Sequence, residues 1–154
     1  MRRIAAALAF VLALMGAAPP SHATDSSFAF MVELTLTPKA AEKLQALKEK
    51  IVVAAYYYGY PSPNAPRKEI KEGISLGAEH HTVDNSTRLV TVTGRGISLK
   101  HLDWVQDRKV RVLINVYSAR RGDPFNLIDC GIFDDEVAVA AQSPVKIACK
   151  LIGE

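Results

Sequence analysis

Residues 109–118, KVRVLINVYS, alternate in character: Val110, Val112, Ile114 and Val116 fall on one side of an extended chain, and Arg111, Leu113, Asn115 and Tyr117 on the other. A period of two with one apolar row describes a strand that packs one face on a core. Residues 144–152 repeat the pattern, with Val145, Ile147, Cys149 and Leu151 against Lys146, Ala148, Lys150 and Ile152, and this strand is expected to lie beside the first. In residues 28–36, Phe28, Phe30, Val32, Leu34 and Leu36 share one face. Thr37-Pro38 then offers an N-cap and a proline at the first helical position, which predicts a two-turn helix over 39–47 with Ala40, Leu44 and Leu47 inward. Residues 51–58, IVVAAYYY, are apolar on both faces and rich in β-branched and aromatic residues, as an inner strand of a sheet is.

The remaining segments are shorter. Three prolines make residues 59–68 a surface loop, and residues 69–76 and 78–83 are strand candidates around Gly73 and Gly77. A turn at Asp84-Asn85-Ser86 precedes a strand over 88–93, which Gly94-Arg95-Gly96 ends. Residues 97–105 fit a one- or two-turn helical crossover better than a strand, with Ile97, Leu99, Leu102, Val105 and Trp104 closing one end of the core. A polar loop over 119–126 leads to a strand over 127–133 that aligns Ile128, Cys130 and Ile132; Asp134-Asp135-Glu136 then turns the chain, and 137–141 fits either state. Seven to eight strands at short spacing without a βαβ rhythm predict an all-β fold, an antiparallel β-sandwich with one or two short helices closing its ends; a closed barrel is the alternative. At that coarse level the order of elements resembles transthyretin-like and immunoglobulin-like sandwiches.

Residues 1–23 add Arg2 and Arg3, an apolar stretch from Ile4 to Ala18, a Pro-Pro break and small residues flanking His22, the pattern of a secretory signal cleaved after Ala23. The apolar stretch falls short of the roughly 20 residues that span a bilayer. Residues 24–154 then form a single domain of 131 residues carrying 17 basic and 16 acidic side chains. Such a balance gives no bulk electrostatic attraction for nucleic acid or anionic lipid, and no cysteine near the cleavage site offers a thiol for a lipid anchor. Two cysteines in an exported chain predict one bridge, Cys130 to Cys149, contributing about 3 kcal/mol through the unfolded chain; two free buried thiols are the competing state. The expected location is periplasmic or secreted.

Several residue groups carry candidate chemistry. His80-His81 with Asp84 is a metal-ligand set by residue type, and His101 a distant third imidazole, but neighbours on a strand point to opposite faces. Asp129, Asp134, Asp135 and Glu136 offer hard oxygens without the alternating loop of an EF-hand. Solvated turns suit both groups better, so no metal site is expected. Arg121-Gly122-Asp123 spells an integrin-type tripeptide and Asn85-Ser86-Thr87 a glycosylation acceptor, each too short to decide anything. With no Gly-x-Ser-x-Gly elbow and no phosphate loop, neither a catalytic residue nor a cofactor is expected.

The aromatic and basic residues stand out instead. Tyr56, Tyr57, Tyr58 and Tyr60 run into the proline loop, and Tyr117 runs into Arg120, Arg121 and Phe125. Tyrosine and arginine are favoured interface anchors, so Tyr58, Tyr60, Tyr117, Arg120, Arg121 and Phe125 are the predicted binding residues, forming one rim if the two strand ends meet. The expected function is a non-catalytic exported binding domain that recognises an envelope protein or a cell-wall component through loops at one end of the sandwich. Alternatives are a small carrier holding an apolar ligand between its sheets, or a minor periplasmic hydrolase.

Overall fold

Eight strands form two facing four-stranded sheets in the computed structural model, which describes residues 28–70, 72–120 and 125–154. The predicted signal segment, Arg121 and the tripeptide it begins lie outside the described residues. The strands are β1 (Phe30–Leu36), β2 (Lys50–Gly59), β3 (Ile74–Val83), β4 (Leu89–Val92), β5 (Arg111–Ala119), β6 (Ile128–Cys130), β7 (Phe133–Glu136) and β8 (Val145–Leu151). Helix α1 (Pro38–Ala46) follows β1, and a single turn, α2 (Val137–Ala140), follows β7. One sheet runs in the order β4-β1-β8-β6 and the other β3-β2-β5-β7. All pairs are antiparallel except β1 with β8, where Val32 stands opposite Val145 and Leu36 opposite Cys149.

The two apolar rows named first lie in different sheets, so the expectation that β5 and β8 are neighbours is corrected. Val112, Ile114 and Val116 of β5 and Val145, Ile147 and Cys149 of β8 are all buried, and they meet across the core instead of along an edge. The cause is the segment read as one strand over 127–133. It breaks at Gly131-Ile132 and passes from one sheet to the other, leaving Ile132 exposed where an aligned inner position was expected. Asp134-Asp135-Glu136 therefore do not turn the chain; they lie in edge strand β7, where Leu113 stands opposite Asp134 and Arg111 opposite Glu136.

Local chemistry explains the other elements. Thr37 caps α1 by accepting from Ala40 N at 3.3 Å, Pro38 opens the helix, and Ala40 and Leu44 are buried. Leu47 is the C-cap and is exposed, because Lys48 turns the backbone to φ 53° there. The two weak strands around Gly77 are one strand that begins at Ile74, so Glu69, Ile70, Glu72 and Gly73 lie outside it. Its register against β2 slips by one residue at Leu76-Gly77, a bulge that Gly77 permits at φ +114°. Residues Leu99–Trp104 form the expected short helical crossover, in 3-10 geometry, with Ile97, Leu102 and Val105 buried beneath it; Leu99 faces solvent.

Cys130 and Cys149 face each other in the β6–β8 pair and are joined, with an S–S distance of 2.11 Å. A disulfide of this kind indicates a non-cytoplasmic compartment. Among the described residues, no helix is long and apolar enough to cross a membrane.

Candidate functional site

The outer faces of the two sheets differ in chemistry. On β4-β1-β8-β6 the outward positions are Met31, Glu33, Thr35, Leu89, Thr91, Lys146, Ala148 and Lys150, which are mostly polar and carry no aromatic ring. On β3-β2-β5-β7 they include Val52, Ala54, Tyr56, Tyr58, Leu113 and Tyr117 beside Arg111, Asn115 and Asp134, with His80 at the edge. Ala54 and Val52 are buried although they face away from the core, because large neighbours close over them. This aromatic side reflects the doubly apolar 51–58 run, whose inner row, Ile51, Val53, Ala55 and Tyr57, fills the sandwich while its outer row lines a surface.

One end of that surface is held rigid by Arg111. Its Nε donates to the Tyr58 hydroxyl at 2.9 Å, its Nη2 donates to Asp134 Oδ1 at 3.2 Å, and Tyr58 itself donates to Asp134 Oδ1 at 2.5 Å. The guanidinium also lies 5.7 Å from the Tyr58 ring centre and 5.6 Å from that of Tyr60, and the two rings meet edge to face. The hydrogen bond from Arg111 to Tyr58 raises the guanidinium pKa further, and burial together with the bond to Asp134 raises that of the Tyr58 hydroxyl.

Beside this cluster an open groove of about 870 Å³ crosses the bulged part of β3. Tyr56, Tyr58 and Leu113 line one side and Trp104 and His101 the other, with Glu69 and Glu72 at the margin. The His101 and Trp104 rings are stacked 4.6 Å apart, and His101 Nδ1 lies 3.4 Å from Ser75 O, so the far wall is held to the strand it overlooks. Backbone ties seat the loops that carry it: Ser62 N donates to Trp104 O at 2.7 Å and Gln106 N to Tyr60 O at 2.8 Å.

The predicted rim is divided. Tyr58 and Tyr60 belong to the Arg111 end. Tyr117 stands opposite Val52, six residues along β2 from Tyr58, which is about 20 Å of strand. Arg120 lies at that distant end, where its Nε reaches Glu49 Oε1 at 3.4 Å and its Nη1 donates to Phe125 O at 3.3 Å; the Phe125 side chain is largely exposed. Antiparallel pairing causes the division, since it sets the exit of β2 against the entry of β5. Arg111, Asp134 and Trp104 were the residues missed. The alternation had placed Arg111 on the outward row beside Tyr117, and antiparallel β2 and β5 would have pointed to it.

The polar groups singled out by residue type are separated. His80 sits edge to face with Tyr56, 5.5 Å between ring centres, while His81 Nε2 is 3.0 Å from Glu79 Oε2 on the other side of β3. Asp84 pairs with Lys50 at 3.1 Å, Asp129 with Lys150 at 3.5 Å and Glu136 with Lys109 at 3.5 Å. Among the described residues, no three His, Cys, Asp or Glu side chains are grouped to hold a metal ion.

Glu79 forms a second polar centre. Its carboxylate accepts from the Tyr57 hydroxyl at 3.0 Å, from Thr93 N and Oγ1 at 3.2 and 2.9 Å, and from Gly96 N at 3.0 Å. Burial acts to raise its pKa, but the bonds from Gly96, Thr93 and Tyr57 outweigh it and hold the carboxyl down at about 2. Its acceptor sites are engaged in tying β3 to the turn after β4, which makes it a clamp between the sheets and leaves it unsuited to act as a base.

Comparison of the chain with family models, with curated proteins and with solved structures returns no match. The function is therefore argued from the groove and its surroundings.

Proposed function

We propose that the protein is a non-catalytic binding domain of the periplasm or the secreted medium, and that it holds a segment of an envelope protein or a cell-wall component in the groove between Tyr56, Tyr58 and Trp104. The observation that carries this reading is the pre-ordered aromatic wall: Arg111 and Asp134 fix Tyr58, and His101 is stacked on Trp104. Rings already held in place lose little freedom when a ligand arrives, so more of the contact energy remains as affinity. Tyrosine and tryptophan with one apolar face and one polar atom suit both a peptide and a sugar surface. The disulfide and the leader pattern support the location.

Purified protein and its Tyr56→Ala/Trp104→Ala variant, applied to isolated cell-wall material and to envelope protein extract, test this reading. Retention on one of the two, lost at least tenfold in the variant while its far-ultraviolet spectrum stays that of the folded parent, is the expected result. Equal retention of both proteins, or none of either, overturns it.

A further inference from the structure

The groove beside Tyr58 has a sign of charge as well as a shape. Tyr56 stands opposite Ala78 of β3 and Leu113 of β5, and Leu113 stands opposite Asp134 of β7. Its floor is therefore one row of side chains across all four strands, about 14 Å long at the usual strand spacing. That length accommodates about four residues of an extended peptide.

Three carboxylates line the groove, those of Glu69, Glu72 and Asp134, and among the described residues no lysine or arginine does. Asp134 is already bonded to Arg111 and Tyr58, so it adds little net charge. The other two are uncompensated. Glu69 meets Lys68 at 4.0 Å, but that lysine side chain is 83% exposed and takes no part in the lining, and so solvated a pair is worth next to nothing. Glu72 pairs with no cation among the described residues. The acidic lining is a local feature, because residues 24–154 as a whole lean slightly basic.

The rings point to the same ligand chemistry. Tyr58 and Tyr60 already hold a guanidinium, that of Arg111, at 5.7 and 5.6 Å from their centres. Tyr56 and Trp104 are surfaces of the same kind, and among the described residues no cation lies over either. We infer, resting on the binding reading of the groove, that its occupant is a lysine- or arginine-bearing segment of an envelope protein. The cationic heads lie at Glu69 and Glu72 and the apolar stems against Tyr56 and Trp104. An anionic wall polymer would be repelled by the same carboxylates, and a neutral glycan would use the rings without the charge. Exposed charges of this kind select the partner more than they tighten it.

Trp104 is the single tryptophan of the chain, so its fluorescence reads occupancy of the groove directly. The probes are a short lysine peptide, a glutamate peptide of equal length and an oligomer of N-acetylglucosamine, none of which absorbs where tryptophan does. The expected result is a saturable change with the lysine peptide alone, weakened by added salt and weakened roughly fivefold in Glu69→Gln/Glu72→Gln, the size of two exposed ion pairs. Both glutamates lie outside the strands, and the salt dependence of the parent needs no variant. A response to the glutamate peptide or the sugar oligomer that equals the lysine response, a lysine response indifferent to salt or to the variant, or no response to any probe overturns the inference. Retention on envelope protein extract separates this failure from failure of the groove itself. Weakened retention of both Glu69→Gln/Glu72→Gln and Tyr56→Ala/Trp104→Ala supports the inference. Loss in the aromatic variant with full retention of the glutamine variant overturns the charge assignment and leaves the groove standing, whereas full retention of both overturns the groove reading as well.

Discussion

Arg111 Nε donates to the Tyr58 hydroxyl at 2.9 Å across the β2–β5 pair, and only about a fifth of the arginine side chain is exposed. The guanidinium thus bonds one tyrosine, lies against two rings and reaches two aspartates. A planar fork can satisfy these partners together, and a lysine ammonium cannot. Arg111→Ala is expected to lower stability by about 1–3 kcal/mol, the range for charged hydrogen bonds with a partly desolvated cation on aromatic rings. Arg111→Lys should recover less than half of that in urea unfolding, and groove binding should weaken in both variants.

Arg120 behaves differently because it lies at the other end of the sheet. It faces Glu49 at 3.4 Å with both side chains mostly covered, and it also bonds the Phe125 carbonyl. Tyr117→Ala/Arg120→Ala is expected to lower the melting temperature, through a loss of roughly 1–3 kcal/mol, while retention on the groove's ligand stays within twofold. Loss of ligand retention at constant melting temperature would restore the single rim expected from the sequence.

What the sequence made legible, and what it hid, follows from the range of each signal. Alternation is local, so 51–58 and 109–118 could be recognised as strands, as could the capped helix after Thr37. The cysteine pairing was legible because an exported chain with two thiols has one intramolecular bridge to make. Neighbours in a sheet are not local. Gly131-Ile132 carries the chain between sheets without a proline to mark the step, so the sequence alone reads β7 as a turn and β8 as a neighbour of β5. The candidate rim is divided for the same reason: composition groups Tyr58 with Tyr117, and pairing direction sets them apart. Glu79 gave no signal, since its donors come from residues 57, 93 and 96.

The disulfide joins residues 19 apart in sequence. Cross-linking a loop of that size restricts the unfolded chain by about 3 kcal/mol. Cys130→Ala/Cys149→Ala should therefore lower the unfolding free energy measured in urea by that amount, with a slope no smaller than the parent's because the released unfolded chain exposes more surface. A shift below about 1 kcal/mol would mean that the reduced unfolded chain already holds these strands together.

Gly77 sits in the bulge of β3 at φ +114°, and a Cβ there would lie 2.1 Å from the carbonyl oxygen of Gly96. That oxygen belongs to backbone held by the Glu79 clamp, so it cannot move aside freely. Gly77→Ala is expected to cost more than about 2 kcal/mol, combining left-handed strain with the clash. Hydrogen exchange should show the loss first at Gly96 and Ser98, and a neutral substitution would contradict the tight crossing.

Glu79 sets the acid limit of the fold. Its carboxyl titrates near 2 in the folded chain, against about 4.3 for an unperturbed glutamate. A folded pKa below the unfolded value means that the unfolded chain binds the proton more readily. The contribution is therefore complete above about pH 5 and is lost as pH falls through 4 toward 2. A difference of about two units corresponds to roughly 3 kcal/mol at neutral pH, and the side chain is about nine-tenths covered, so solvent screening removes little of it. Glu79→Gln turns an amide N–H₂ toward a set of donors and should lower stability by about 2–4 kcal/mol at pH 7. The variant should also lose much of the slope of unfolding free energy against pH between 5 and 2. Urea unfolding at several pH values reads both effects. Parallel curves for parent and variant across that window would show that other carboxylates carry the acid sensitivity.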